Sequence, residues 1–231
     1  MKVLSLDTSS NLGSLALLEN ENLLMEISWE EASSHTALLP IQFQEILKQT
    51  KTTLEDIDLF AVAKGPGSFT GIRIGMAFMK GLTLLNEKPV FGVSTLEAMA
   101  NTVEGESWIC PLIDARRSQI FGALYQQEEK QKVLQIEEQA EFPLLFLKKL
   151  KKLPLLDEDS LIFLGSGAQK YEKEIQGEFG DSAKRISKKI PLASWVAHLA
   201  FQAVQQNVVF RASLDLLPHY LRSSAAEISN S

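Results

Sequence analysis

Short apolar runs of strand length open the chain. Lys2–Asp7, Gly13–Leu18 and Asn22–Trp29 are separated by the turn residues Ser9-Ser10-Asn11 and Glu19-Asn20-Glu21-Asn22, a spacing that predicts an antiparallel meander. The period then lengthens. Leu39, Phe43, Ile46 and Leu47 share one face of a helix that Ser33 or Ser34 would cap and that runs to about Lys51. Pro40 lies inside this pattern and is expected to kink the helix or end its first segment. Next come a strand at Leu59–Ala63, a glycine loop at Gly65–Gly71, a helix over Ile72–Leu85 and a strand at Pro89–Val93.

The second half repeats this order. Trp108–Ile113 and Gln119–Tyr125 read as strands flanking Asp114-Ala-Arg116-Arg117-Ser118 in a hairpin, and Val133–Ile136 adds a third. Phe142–Lys151 reads as helix and Leu161–Leu164 as a buried strand. Gly165-Ser-Gly167-Ala168 leads into another helix, and Pro191 starts the last one, through Trp195, Leu199 and Val204. The expectation is two related α/β lobes with mixed sheets, residues 1–103 and 104–231, the last helix packing back on the first lobe.

Bulk properties narrow the classes. The 231 residues can bury a substantial core. A formal net charge of −6 argues against a large phosphate-binding surface, although Lys148-Lys149-Leu-Lys151-Lys152 is a local basic run. The single Cys110 excludes an internal disulfide and reads as a small buried residue. Met1-Lys2 leads straight into a strand and no apolar run approaches the roughly 20 residues of a membrane span, so a cytoplasmic protein is expected.

Gly65-Pro-Gly67-Ser-Phe-Thr-Gly71 is the most informative stretch. A glycine turn entering a helix can hold an anion on its free N–H groups, or can be a corner whose glycines allow close packing. It is no Walker loop, because Lys80 lies well inside the helix. It is no dinucleotide fingerprint either, because Thr70 stands where the third glycine belongs.

Motifs spread over almost the whole chain resemble the TsaB (YeaZ) family. They are Val3-Leu-Ser-Leu-Asp7-Thr-Ser-Ser, Ser34-His35-Thr36 with Leu38-Leu39-Pro40, Gly65-Pro-Gly-Ser-Phe-Thr-Gly-Ile-Arg73-Ile-Gly75, Gly92-Val-Ser-Thr-Leu-Glu97-Ala, Ile113-Asp114-Ala-Arg116-Arg117 and Pro218-His-Tyr220-Leu-Arg222. The resemblance implies the two-lobed actin/Hsp70/sugar-kinase-like α/β fold and a part in making threonylcarbamoyladenosine beside the tRNA anticodon. It also implies a non-catalytic assembly subunit that pairs with a TsaD-like transferase, works with a TsaE-like ATPase, and meets tRNA only through the complex. Where the partner is absent, a homodimer and a monomer both stay open.

The residues for chemistry are sparse. Where the catalytic relative carries a His-x-x-x-His metal pair, this chain has Thr95 and Met99, and neither is a competent ligand for a hard or borderline ion. No catalytic residue, metal site or confident cofactor site is expected. His35, His198 and His219 are scattered; His35 is expected to be a polar packing residue and His219 a surface one. Ser68 reads as a helix cap rather than a nucleophile, and Glu97 as first-turn charge. Asp7, Gly165 and Gly167 are remnant candidates for nucleotide contact, so ATP or ADP binding is expected to be weak or to need the partner's interface. The second loop carries Arg116 and Arg117 in place of glycines, either as exposed turn residues or as contacts for an anion or partner carboxylate.

Leu38, Leu39, Phe43, Gly71, Gly75, Met76, Phe78, Met79 and Leu82 form the expected partner face, with Ala77 and Gly81 offering a second small-residue ridge. On that reading Gly75→Leu should weaken association and leave the chain folded. The alternatives are a small-molecule kinase or ATPase of the same fold, resting on Asp7, the glycine loop and Gly165–Ala168, and a direct tRNA-binding module, which the acidic balance disfavours.

Overall fold

The computed structural model describes residues 1–30, 35–105, 108–128, 131–154, 160–180, 183–186, 189–208 and 215–222, with backbone alone at 85 and 86. The chain divides into two compact units, Met1–Ala98 with Pro191–His219, and Met99–Ile190 with Tyr220 onward.

The first unit holds β1 (Lys2–Asp7), β2 (Leu12–Glu19), β3 (Asn22–Glu30), α1 (His35–Thr50), β4 (Leu59–Ala63), α2 (Phe69–Asn86), β5 (Val90–Val93) and the start of α3 (Thr95–Asn101). Its sheet runs β3-β2-β1-β4-β5; the first three strands are the antiparallel meander, and β4 and β5 continue it in parallel. Strand alternation gives the sheet two buried faces. Leu4, Leu6, Leu15, Leu17, Phe60 and Val62 join Leu39 and Ile46 of α1 and Ile72, Met76 and Met79 of α2 in one core. The other face carries Ser5, Ser14 and Glu26, one from each strand of the meander, and meets the N-terminus of the final helix (Ala193–Gln205).

Pro40 does not end α1, which runs unbroken from His35 to Thr50. Pro40 and Thr36 are both exposed, so water can serve the Thr36 carbonyl that the missing N–H leaves unpaired. Burial of Leu39 and Ile46 holds the helix from the other side. The cap expected at Ser33 or Ser34 lies outside the described residues.

The second unit holds β6 (Trp108–Arg116), β7 (Gln119–Glu128), β8 (Gln131–Glu141), α4 (Pro143–Leu150), β9 (Leu161–Leu164), α5 (Ser166–Lys170), α6 (Glu172–Phe179) and β10 (Lys184–Ile186). Its sheet, β8-β7-β6-β9-β10, repeats the first: three antiparallel strands followed by two parallel ones. Trp108, Cys110, Leu112, Phe146, Leu150, Phe163, Ile175 and Phe179 lie in its core. Burial pushes the Cys110 thiol well above its ordinary pKa, which keeps it protonated and unreactive. The final helix, α7 (Ala193–Gln205), belongs to the first unit and packs on β1, β2 and β4.

Candidate functional site

The glycine loop joins β4 to α2. Ser68 caps the helix, its hydroxyl accepting from Gly71 N at 3.2 Å. The Ser68 N–H donates to Ser9 O at 2.7 Å, and Thr8 Oγ1 donates to Gly71 O at 2.8 Å. A Cβ at Gly67 would collide with Ser9 O, one at Gly71 with Thr8 O, and one at Gly75 with Thr8 Oγ1. These glycines, four residues apart, seat α2 on the turn after β1. Gly65, at φ +105, is in addition overlaid by the backbone of His219, whose N–H donates to Lys64 O at 2.7 Å. The loop is a packed corner of the first unit.

That geometry corrects part of the expected partner face. Gly71 and Gly75 look inward, and Leu39, Met76 and Met79 are core residues with at most 3% exposure. Leu38, Phe43, Phe78 and Leu82 are half-buried against the same core, with the Phe43 and Phe78 rings meeting edge-to-face at 5.6 Å. The outward side of the helix pair is carried instead by Ile41 (58% exposed) and Leu84 (59%), with Ala77 and Gly81 between the ridges of α2. A Cβ on Gly81 would meet nothing within 4 Å. Of the two small-residue ridges, the Ala77–Gly81 one faces out.

Asp7 ends β1 and is 1% exposed. Its Oδ1 accepts the Ser9 N–H at 2.8 Å, the turn-closing bond that an Asp in this position makes without any ligand. Burial raises its pKa; the Ser9 bonds and His35 pull the other way but do not prevail. Such a carboxyl holds its proton more tightly than a free one.

His35 is a packing residue. Trp29 Nε1 donates to its Nδ1 at 2.9 Å, so Nε2 carries the proton and donates to Ser10 O at 2.8 Å. His198 is half-buried on α7, and desolvation lowers its pKa. Thr95 is buried with its N–H on Gly65 O at 2.9 Å, and its hydroxyl, like that of Ser9, has no hydrogen-bond partner among the described residues. Among the described residues no three His, Cys, Asp or Glu side chains gather as a metal site.

In the second unit, Gly165 (φ +96) and Gly167 press against β6. A Cβ on Gly165 would strike the Met99 methyl and Leu112 O, and one on Gly167 would lie 2.9 Å from Leu112 Cβ. Both glycines thus let the loop before α5 and its first turn seat directly on β6. The facing hairpin turn has no glycine at 115–118. Instead Asp114 pairs with Lys170 at 2.9 Å and accepts the Arg116 N–H at 3.0 Å. Arg222 donates to Gln119 Oε1 at 2.9 Å and to Ala115 O at 3.1 Å. This fastening of the turn was not foreseen from the sequence; its signals were the Asp114 and Arg116-Arg117 motif and the separate Tyr220-Leu-Arg222 motif, which nothing in the sequence joins.

Comparison with known proteins adds kinship to this geometry. A family model described as TsaD, tRNA N6-adenosine threonylcarbamoyltransferase, matches residues 27–230. A Bacillus subtilis protein named tRNA threonylcarbamoyladenosine biosynthesis protein TsaB is 28% identical over 230 residues, 98% of this chain and 96% of the relative. The Buchnera aphidicola (subsp. Baizongia pistaciae) protein of the same name is 31% identical over 75% of this chain and 78% of the relative. The Escherichia coli one is 38% identical, but that match spans only 56% of this chain and 57% of the relative. Among solved structures, YeaZ from Pseudomonas aeruginosa superposes with a TM-score of 0.78 at 24% identity, covering 95% of this chain and 99% of that one, a likeness of fold.

Proposed function

The chain belongs to the TsaB (YeaZ) family, within the relationship that the threonylcarbamoyltransferase model describes, and from that premise we propose that it is a non-catalytic assembly subunit for threonylcarbamoylation of tRNA. It pairs with a TsaD-like transferase, and a TsaE-like ATPase completes the set. The observation that carries the reading is the match, over 98% of the chain, to a protein named for threonylcarbamoyladenosine biosynthesis. Thr95 and Met99 in place of the histidine pair agree with a subunit that leaves the chemistry to its partner.

The docking face is the outward side of α1 and α2: Ile41, Ala77, Gly81 and Leu84, backed by Phe43 and Phe78. Exposed aliphatic side chains beside a ridge of small residues let a partner helix approach closely. The same face would take a second copy of this chain when the transferase is absent.

The purified chain alone should leave an unmodified tRNA transcript unchanged. Adding a TsaD-like transferase, a TsaE-like ATPase, threonylcarbamoyl-adenylate and ATP should produce the modified nucleoside, read by mass spectrometry of the digest. Transfer by this chain alone would overturn the proposal. A kinase or ATPase of the same fold is the competing reading. Against it weigh Asp7, whose carboxylate closes its own turn, and a second loop without glycine at 115–118. Micromolar ATP–magnesium affinity lost in Asp7→Ala would restore it.

A further inference from the structure

The β6–β7 hairpin turn is built from unsuitable residues. Arg116 pairs with Gln119 across the ladder, and the two residues between them, Arg117 and Ser118, have φ of +49 and +59. Positive φ at both central positions is a type I′ turn, which Asn-Gly satisfies with least strain. Arg116 itself sits at φ +62, so three consecutive residues with a Cβ adopt the left-handed conformation. Such a run persists only where its surroundings impose it. They do: Asp114 takes the Arg116 N–H, Lys170 and Ser166 hold Asp114, and Arg222 grips Ala115 O and Gln119 Oε1.

The tip that this scaffold presents is cationic and unspent. Arg116, Arg117 and Ser118 are all exposed, and neither the Arg116 nor the Arg117 guanidinium has a hydrogen-bond or ion-pair partner among the described residues. Arg222 donates to two neutral oxygens, and no carboxylate pairs with it among the described residues. Asp114 is already paired with Lys170, and Glu141, opposite Ile120 on the next strand, with Lys149 at 2.8 Å. Two exposed guanidiniums on the turn, and a third bonded to its flanks, therefore gather in a chain whose formal net charge is −6. Guanidinium forks match phosphate oxygens in shape as well as charge.

The geometry points to this turn as a contact for the phosphodiester backbone of an RNA, made by Arg116 and Arg117 and braced by Arg222. The inference deepens the tRNA reading above and rests on it: the chain would touch the tRNA itself. Contacts of this kind add affinity and fix register without reading sequence.

The test measures binding of a labelled, unmodified tRNA transcript to the chain alone and to its complex with a TsaD-like transferase, across 50–300 mM salt. The informative variant is Arg117→Asn with Ser118→Gly, which gives the turn its preferred residues and removes one guanidinium; Arg116→Gln is added to remove the second. The complex of the triple variant should bind tRNA about tenfold or more weakly near 0.1 M salt, with the salt slope reduced by about two. Its co-elution with the transferase should not change. Unchanged affinity and slope would overturn the inference. So would loss of co-elution with tRNA binding intact, which would make the turn a dock for an acidic protein surface. Loss of ATP binding with tRNA binding intact would do the same in favour of a free nucleotide. If the wild-type chain never co-elutes with the transferase, the assembly reading fails; the chain-alone measurement then decides this inference, an unchanged slope counting against it.

Discussion

Gly75 lies against Thr8 so closely that a Cβ on the glycine would overlap the threonine hydroxyl. The same hydroxyl donates to Gly71 O. One threonine just past β1 thus fixes both the depth and the rotation of α2, and with them the direction in which Ala77 and Gly81 look.

Gly75→Leu should therefore unfold or severely destabilise the first unit, because a bulky side chain has no route out from between α2 and β1. Gly81→Leu should keep the helical circular-dichroism signal and lose association, since its Cβ points into open space and would hold a partner helix away. The pair is read by thermal melts and by gel filtration with a TsaD-like transferase. Wild-type association of folded Gly81→Leu would move the interface elsewhere.

The N-terminus of α7 has no local cap and is served from the sheet. Ser14 Oγ accepts from Leu192 N at 3.2 Å and Ala193 N at 3.0 Å, and Glu26 accepts from Ser194 N at 2.9 Å. Ser14→Ala should cost about 1–3 kcal/mol, because it strands buried donors. Glu26→Gln keeps an acceptor but removes a charge beside the helix dipole, a loss of about 0.3–1 kcal/mol. Urea midpoints should show the larger drop for Ser14→Ala.

Asp7 makes a prediction about pH. Burial raises its folded pKa above the unfolded value, so the folded state holds this proton more tightly. Stability from this group is full below the unfolded pKa and falls as pH rises through the window up to the folded one. Asp7→Asn keeps an oxygen for the Ser9 N–H without the buried charge. It should match or exceed the wild type in urea stability at pH 8, and the difference should vanish in acid. If Asp7→Asn instead unfolds at lower urea than the wild type at pH 8, the carboxylate has a partner that it needs.

Much of this molecule was legible in the sequence. Strand-length apolar runs, the Ser68 cap and the doubled order of elements read correctly, because period and turn chemistry are local signals. The continuity of α1 through Pro40 was not legible, since it depends on burial of Leu39 and Ile46 and exposure of Thr36. The expected docking residues divided for the same reason: Gly71, Gly75 and Met79 share helical spacing with Ala77 and Gly81, and only the seat on Thr8 tells which ridge faces inward. The Arg222 grip on the 115–119 turn joins residues more than 100 positions apart, which no local pattern encodes.

His35 supplies the final prediction. It opens α1, is 1% exposed, and bridges two elements through opposite sides of one ring: Nδ1 accepts from Trp29 Nε1, and Nε2 donates to Ser10 O. His35→Ala leaves the buried indole N–H without an acceptor and the start of α1 without its tie to the β1–β2 turn, a loss of about 1–3 kcal/mol for the stranded donor alone. Trp29→Phe frees only the Nδ1 acceptor but also removes part of the ring that lies over Gly13. Both variants should lower the melting temperature. Because α1 carries Ile41 and Phe43, both should also weaken association with the transferase even at temperatures where they remain folded. In the wild-type protein the Trp29 indole N–H should exchange slowly with deuterium, and in His35→Ala it should exchange quickly. Slow exchange in that variant would mean the indole has found another acceptor, and the bridge is not what holds α1 in place.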